Sequence, residues 1–451
     1  MARYLIVGNG VTGMRAAEVL RRCMHDAEIT LVTEEAHPFY RRPQLADYAA
    51  GAVGEARLWG KRKEYYAEQR FDLRLSSRVV GVDTTARKAM LADGSALAYD
   101  ALLVASGRRL SAGSLAGGDL AGINCFKTLD EARAIRELQG SGKRGVVYGN
   151  GLVALELVRA LTGAGFTTTY YVPTERLWPA VLDEDAAEIA ASRVRASGAE
   201  LVLGARVEAV EGRGGRAAGL VLAGGETVSA DVVGVCTEYT PAVDFLPDGG
   251  FGFKVDAGFA TPWDGIYAAG DVTVAASKHY FNWLRSWRQG AAVGAVLAGE
   301  EGEVRPEIDV LNMQVLGLSL VVLGQTVTTP RSGYSEMRGD YPYGEFYKKL
   351  VFDPEGVLVG ALLLGNVAEA GALEEAIRAG RRKDELAPSL LHQMFDVTYR
   401  TSYLGVQCPV CRHEIQLARG AHPGDLLTCP VCGTELTLQQ GDVGLRARVA
   451  K

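Results

Sequence analysis

The chain has no long apolar run, no surplus of positive charge and few cysteines. Without about 20 consecutive apolar residues, no transmembrane helix is expected. Its 48 Lys and Arg against 54 Asp and Glu leave a formal charge of −6. That balance provides no basic field for nucleic acid or anionic lipid, so neither is an expected partner. Met1-Ala2-Arg3 leads straight into an apolar run, leaving no room for a signal peptide, and the expected location is the cytoplasm. Of seven cysteines in 451 residues, Cys23, Cys125 and Cys236 stand alone and four gather near the C-terminus. This distribution excludes a disulfide framework and suits a metal site in a reduced compartment. What remains is 48% hydrophobic, ample for real cores, in a length suited to about three domains.

One glycine-rich turn occurs twice. Gly8-Asn9-Gly10-Val11-Thr12-Gly13 follows Tyr4-Leu5-Ile6-Val7 and opens a helical pattern carrying Ala16, Ala17, Val19 and Leu20 on one stripe. Gly149-Asn150-Gly151-Leu152-Val153-Ala154 follows Arg144-Gly145-Val146-Val147-Tyr148 in the same way. In such a strand–turn–helix unit the first glycine makes the bend and the second lets a pyrophosphate approach the helix N-terminus. The third small residue lets helix and strand pack. An acid about 20 residues on accepts hydrogen bonds from a ribose. After the first turn Glu28-Ile29-Thr30-Leu31-Val32 runs into Glu34 and Glu35, and either fits. Two such sites imply a flavoenzyme that uses a nicotinamide.

Three more segments follow in a recognisable order. Tyr99-Asp100-Ala101-Leu102-Leu103-Val104-Ala105-Ser106-Gly107 resembles the strand that closes the first flavin-binding segment of two-dinucleotide flavoproteins. Gly265-Ile266-Tyr267-Ala268-Ala269-Gly270-Asp271-Val272 resembles their second flavin motif, and Tyr40-Arg41-Arg42-Pro43 with Leu45 resembles the segment after the flavin ribose strand. Together they resemble the FAD-dependent pyridine nucleotide-disulfide oxidoreductases, of the rubredoxin or ferredoxin reductase and nitrite reductase NADH-subunit type. The resemblance covers about residues 1–385. It implies an α/β fold with two Rossmann-like dinucleotide-binding domains, an α+β C-terminal interface domain and a small four-cysteine metal ribbon beyond it. The implied boundaries are 1–118 and 240–302 for the FAD domain, 119–239 for an inserted NAD(P) domain, 303–400 for the interface domain and 405–440 for the ribbon. The implied flavin contacts are Gly8, Gly10, Val11, Thr12, Gly13, Glu34, Glu35, Arg42, Pro43, Val79, Ala105, Ser106, Gly107, Gly270, Asp271 and Trp287. Those for the nicotinamide coenzyme are Gly149, Gly151, Leu152, Val153 and Glu156. Trp287 has an ordinary buried tryptophan as its competing reading, and Glu156 a solvent-exposed helix glutamate. Local features agree with the boundaries: 112–118 reads as a crossing, 212–219 as a turn between strands, and 369–381 as a helix.

Disulfide reductases of this broad family carry a cysteine pair beside the flavin, whereas residues His37 to Arg62 contain no cysteine. Electrons taken up as hydride must therefore leave for another acceptor. Hydride transfer needs positioning and local charge more than a side-chain nucleophile, so no catalytic residue is expected. Relatives tend to carry Ser-Lys where this chain has Ala46-Asp47, an exchange of cation for anion that would disfavour anionic reduced flavin. The coenzyme expected is NAD(H) over NADP(H): the position that usually holds the ribose-binding acid after the second turn falls at Val172, and Pro173-Thr174-Glu175-Arg176 after it offers no basic cluster for a 2′-phosphate, which Glu175 would repel if it points inward.

The tail carries Cys408-Pro409-Val410-Cys411 and Cys429-Pro430-Val431-Cys432-Gly433, two knuckles whose four thiolates suit a tetrahedral ion. Between and after them, Glu414-Ile415-Gln416-Leu417 and Leu436-Thr437-Leu438 alternate as short strands. The pattern resembles a zinc ribbon. Iron of the rubredoxin type is the alternative, disfavoured by Arg412 in place of a knuckle glycine and by the lack of surrounding aromatics. From Gly405 onward Arg412, Arg419, Arg446, Arg448 and Lys451 are nearly balanced by Glu414, Asp425, Glu435 and Asp442, so the ribbon is expected to dock a partner or close the protein's own surface rather than bind nucleic acid.

The leading expectation is an electron-transfer flavoprotein working between NAD(H) and an iron–sulfur or other redox protein, or a subunit of a larger complex such as a tungsten aldehyde oxidoreductase. An NAD(P)H oxidase or quinone reductase, and a non-catalytic assembly subunit with structural flavin, are the alternatives. Homo- and hetero-oligomers are both left open.

Overall fold

Alternation in the first apolar run builds the first layer. In the strand Arg3–Val7, Leu5 and Val7 face one way and Ile6 the other. The computed structural model describes residues 1–113, 115–140, 142–247, 255–273, 283–300, 308–328, 333–340, 346–392, 395–396, 404–410, 414–417, 421–429, 432–440 and 445–450. It divides into two compact units, 1–173 with 198–307 and 174–197 with 308–451.

In the first unit, five parallel strands lie in the order Ile266–Ala268, Ala101–Val104, Arg3–Val7, Glu28–Val32 and Phe71–Arg74. Ile6, Leu31 and Leu103 pack beneath the helix Val11–Cys23 and the helix Trp283–Leu297. Gly290 and Gly294 let these helices touch: a Cβ on them would stand 2.5 Å from the Thr12 oxygen and 2.7 Å from the Ala16 oxygen. On the other face, Leu5, Val7, Val32 and Val104 meet Val79, Val82, Ala89 and Leu91 of an antiparallel meander. Each such valine or leucine contributes about 1.5–3 kcal/mol by leaving water.

A second parallel sheet repeats the plan in the order Glu200–Val202, Thr167–Tyr171, Arg144–Gly149, Val232–Cys236 and Ile123–Asn124. It too carries a three-stranded antiparallel meander before its fourth strand, Val207–Arg213, Arg216–Leu222 and Thr227–Ser229. The turn expected over 212–219 is tighter than its glycines suggest. Only Gly214 and Gly215 form it, at φ +56° and +78°, because both strands continue into the glycine-rich stretch. Arg108–Ser111 and Glu238–Pro241 pair antiparallel where the chain crosses between the two sheets.

The second unit holds an antiparallel sheet in the order Val310–Val315, Leu318–Gly324, Leu358–Leu364, Tyr347–Phe352, Ser335–Asp340 and Phe395–Asp396. The helix Ala370–Arg378 supplies Leu373 and Ala376 to its core. Residues 174–197 group with this unit, although the chain order suggested the inserted domain. Asp183 supplies a reason: it N-caps the helix Glu184–Ala196 through the Ala186 amide at 3.1 Å, accepts from Tyr347 at 2.6 Å, and pairs with Lys349 at 3.2 Å. The tail adds the pair Leu404–Gln407 with Glu414–Leu417 and a three-stranded sheet of Leu426–Thr428, Glu435–Gln440 and Leu445–Val449. Among the described residues no helix is long and apolar enough to cross a membrane.

Candidate functional site

The first glycine-rich turn is sterically committed. Gly8 has φ +116°, and a Cβ there would lie 2.2 Å from the Ala105 oxygen. At Gly13 a Cβ would lie 2.0 Å from the Gly8 oxygen. Gly10 differs: it meets nothing within 4 Å, and no side chain caps the helix that begins at Val11 and Thr12. Among the described residues the first-turn amides have no side-chain cap and so suit an anion. Beside them, Asn9 is buried, its Oδ1 accepts from Tyr66 at 3.0 Å, and its Nδ2 has no partner among the described residues. An open cradle with an orphaned donor fits a dinucleotide pyrophosphate.

Gly270 and Asp271, expected on the flavin side, pack against this turn. A Cβ on Gly270 would come 2.5 Å from Thr12 Oγ1, and its amide donates to Gln289 Oε1 at 2.8 Å. Asp271 is held from two sides: Ser286 Oγ donates to its Oδ1 at 3.2 Å and Arg108 Nε to its backbone oxygen at 2.9 Å. Ser106 Oγ donates to the Ala242 oxygen at 2.6 Å, next to Gly107 at φ +74°. The Val79 side chain lies in the core with Val7 and Val32, leaving only its backbone for a ligand.

The two acids after the second strand have different surroundings. Glu34 is exposed, 3.7 Å from Arg109 and 4.0 Å from Arg78. Glu35 is partly buried, pairs with Arg42 Nη2 at 2.5 Å and accepts from Tyr40 at 2.7 Å. Burial works to raise the Glu35 pKa, but Arg42 and Tyr40 outweigh it and hold the carboxyl below its usual value. Arg42 also donates to the Lys127 oxygen at 2.5 Å, with Pro43 following in a short 3₁₀ turn.

Lys127 is the residue that sequence reasoning missed. Its Nζ lies 3.8 Å from where a Gly107 Cβ would be. Burial, then the nearby Arg42 charge, push its pKa down to about 8. Its loop is held by Glu131, which accepts from the amides of Cys125, Lys127 and Thr128 at 2.7, 2.9 and 2.7 Å. A capping box, Thr128 with Glu131, was the one local signal for it.

At the second turn, Gly149 has φ +151° and a Cβ would stand 2.5 Å from the Cys236 oxygen. Gly151 precedes the helix Leu152–Gly163, whose N-terminus, at Leu152 and Val153, has no side-chain cap. Ala154, the third small residue, is fully buried. Glu156 is not the exposed helix glutamate that competed with its site reading: its side chain is 20% exposed and pairs with Arg159 Nη2 at 2.7 Å. Burial pushes its carboxyl pKa up despite Arg159. Arg159 also pairs with Asp47. The anion at position 47 is thus not bare, because a cation reaches it from the neighbouring helix. Trp287 is 41% exposed, with the Arg15 guanidinium 4.6 Å from its ring centroid, so it is no buried core tryptophan.

The cysteines divide by environment. Burial pushes the Cys125 thiol up to about 12 and holds that of Cys236 well above its ordinary value, so neither offers a thiolate at neutral pH. In the tail, Cys408 and Cys429 are buried and Cys432 exposed, with all three sulfurs within 4.8 Å of one another. Cys408 Sγ and Cys432 Sγ are 3.6 Å apart. Tetrahedral sulfurs about 2.3 Å from one ion lie roughly 3.8 Å apart, so the donor set fits a bound metal. Cys411 lies outside the described residues.

Comparison with known proteins agrees with this geometry. Residues 2–294 match the model of the pyridine nucleotide-disulphide oxidoreductase family. Residues 406–442 match that of the alpha-aminoadipate carrier protein LysW-like globular domain. The NADH-dependent phenylglyoxylate dehydrogenase subunit epsilon of Aromatoleum evansii is 27% identical over 402 residues, covering 86% of this chain and 93% of the relative. The ferredoxin–NAD(+) reductase component of the anthranilate 1,2-dioxygenase system of Burkholderia cepacia is 31% identical, covering 84% and 95%. Among solved structures, an NAD-dependent persulfide reductase from A. fulgidus superposes with a TM-score of 0.77 at 24% identity, covering 86% of this chain and 78% of that one, which shows a shared fold.

Proposed function

Because the chain belongs to the pyridine nucleotide-disulphide oxidoreductase family, we propose that it is an FAD-dependent oxidoreductase passing electrons between NAD(H) and a separate redox protein. The observation that carries this reading is the pair of glycine turns. Each is too tight for a side chain at its first glycine, and each leads into a helix N-terminus that no side chain caps. FAD, when bound, supplies the exchange between two-electron hydride chemistry and one-electron carriers. The protein's part is placement. Gly10, Val11 and Thr12 receive the flavin pyrophosphate, with Lys127 and Arg42 adding positive charge. Glu35 or Glu34 takes the ribose, and Asp271, fixed by Ser286 and Arg108, takes the ribityl chain. Gly149, Gly151, Leu152 and Val153 receive the nicotinamide coenzyme, with Glu156 one turn further on. The flavin domain then comprises 1–118 and 240–302, and 119–239 is inserted into it, apart from 174–197, which group with the C-terminal sheet. The two parallel sheets and the paired crossing strands support that division.

With Cys125 and Cys236 held as thiols and no cysteine from His37 to Arg62, the electrons leave for an external acceptor. An iron–sulfur protein or a partner subunit of a larger complex is the acceptor we favour. The relatives named for ferredoxin reduction and for subunit epsilon of a dehydrogenase support it. We assign zinc to the ribbon and NAD(H) to the second turn. The test is NADH-dependent reduction of a one-electron acceptor, ferricyanide or a [2Fe–2S] ferredoxin, with oxygen uptake recorded in parallel. Acceptor reduction far faster than oxygen uptake is expected, and rapid oxygen uptake with no acceptor reduction would replace this reading with an oxidase.

A further inference from the structure

We propose that Asp47, Arg159 and Glu156 form a charge device that selects the redox form of the coenzyme, favouring the cationic nicotinamide ring of NAD⁺ over the neutral ring of its reduced form. The inference rests on the nicotinamide reading of the second turn and deepens it. Glu156 and Arg159 lie three residues apart on the helix Leu152–Gly163 and so share a face. Asp47 comes from the helix Leu45–Ala49, which directly follows the flavin-side turn at Arg42 and Pro43. The chain is close where that helix ends: a Cβ on Gly163 would stand 2.6 Å from the Cβ of Ala50, the residue after the helix Leu45–Ala49. The triad therefore joins an element of the flavin side to the helix that opens at the coenzyme turn.

Its composition is unbalanced. Two carboxylates share one guanidinium: Arg159 Nη1 pairs with Asp47, and Nη2 with Glu156 at 2.7 Å. The remaining nitrogen, Nε, is buried with no partner among the described residues. The side chains of Glu156 and Arg159 are 20% and 21% exposed and that of Asp47 40%, so water screens the first two only in part and Asp47 more. The charged groups bearing on Glu156 are Arg159 and Asp47, and with all three ionised the cluster holds one excess negative charge. A positive ring placed beside Glu156 offsets that excess, whereas a neutral ring leaves it unmatched.

The adenosine, ribose and pyrophosphate parts are common to both coenzyme forms. The ratio of their dissociation constants therefore isolates the ring charge. One unit charge about 10 Å away, in a medium of effective dielectric about 20, changes such a ratio by about tenfold. The probes are NAD⁺ and 1,4,5,6-tetrahydro-NAD, whose ring is neutral and does not deliver hydride. Both are titrated calorimetrically into the oxidised flavin-loaded protein at pH 8. The unaltered protein should bind NAD⁺ more tightly. Asp47→Asn should cut that preference about tenfold, and Arg159→Gln should increase it. The double variant Asp47→Asn/Arg159→Gln, which has the same total charge as the unaltered triad, should return close to the starting ratio. Unchanged ratios in both single variants, with both probes still binding, would overturn the charge device and leave the nicotinamide site standing. Failure of the unaltered protein to bind either probe would overturn the nicotinamide reading and this inference with it.

Discussion

Replacing Lys349 by Met should cost the second unit about 3–5 kcal/mol, the usual penalty for removing one partner of a buried ion pair. Lys349 is 1% exposed in a strand buried at every position from Tyr347 to Phe352. Its ammonium lies 2.7 Å from Glu336 and 3.2 Å from Asp183. Arg338 serves the same acids and also Asp185, at 2.6 Å from Glu336 and 3.0 Å from Asp185. Among the described contacts three carboxylates face two cations, so Lys349→Met doubles that negative excess around a largely buried strand. At about 2–4 °C per kcal/mol for a unit of this size, the C-terminal transition should fall by roughly 6–20 °C in a calorimetric scan. Retention of FAD, by its visible spectrum, serves as the control for the first unit. Adding Asp183→Asn restores the charge total and keeps an N-cap acceptor, so the double variant should recover much of the loss. A drop of less than about 2 °C in the single variant, or no recovery in the double, would refute the argument.

Four further outcomes follow from the same geometry. The Glu336 carboxyl is held below its usual pKa because Lys349, Thr328 and Arg338 outweigh the raising effect of burial. A depressed carboxyl stabilises above its unfolded pKa of about 4.3, so the C-terminal transition should weaken as pH falls below that value, and Glu336→Gln should flatten the dependence. Gly8→Ala should yield colourless protein on purification, since its Cβ would lie 2.2 Å from the Ala105 oxygen; full flavin occupancy would refute the turn's assigned role. FAD affinity should decline as pH rises past about 8, where Lys127 loses its proton in the unliganded protein, and Lys127→Met should weaken binding while removing that pH dependence. Cys432→Ser should lower the metal content of the tail while leaving the flavin spectrum intact, measured by elemental analysis beside absorbance.

Much of this was legible in residues that backbone geometry dictates. Gly8, Gly13 and Gly149 announce their turns because no side chain fits there, and the apolar runs before them alternate as their sheets require. Residues joined through tertiary contact were not legible. The Thr128–Glu131 capping box marks a helix start beside Lys127 but not its reach to Gly107, which depends on Glu131 folding the 125–128 loop onto itself. Asp47 read as an uncompensated anion, since its cation, Arg159, lies on a different helix. The run from Tyr347 to Phe352 places two lysines in a strand that is buried throughout. Their carboxylate partners lie at Asp183, Glu336 and Glu369, so only the folded chain shows how they are satisfied. The grouping of 174–197 with the C-terminal sheet was hidden for the same reason.

The central claim, that this chain couples a nicotinamide to FAD, is tested most directly by an anaerobic titration with NADH. Flavin absorbance is followed through the titration and metal is assayed on the same sample. Stoichiometric loss of the oxidised flavin band, with zinc in the tail, is the predicted result. A bound flavin that neither NADH nor NADPH bleaches would contradict it.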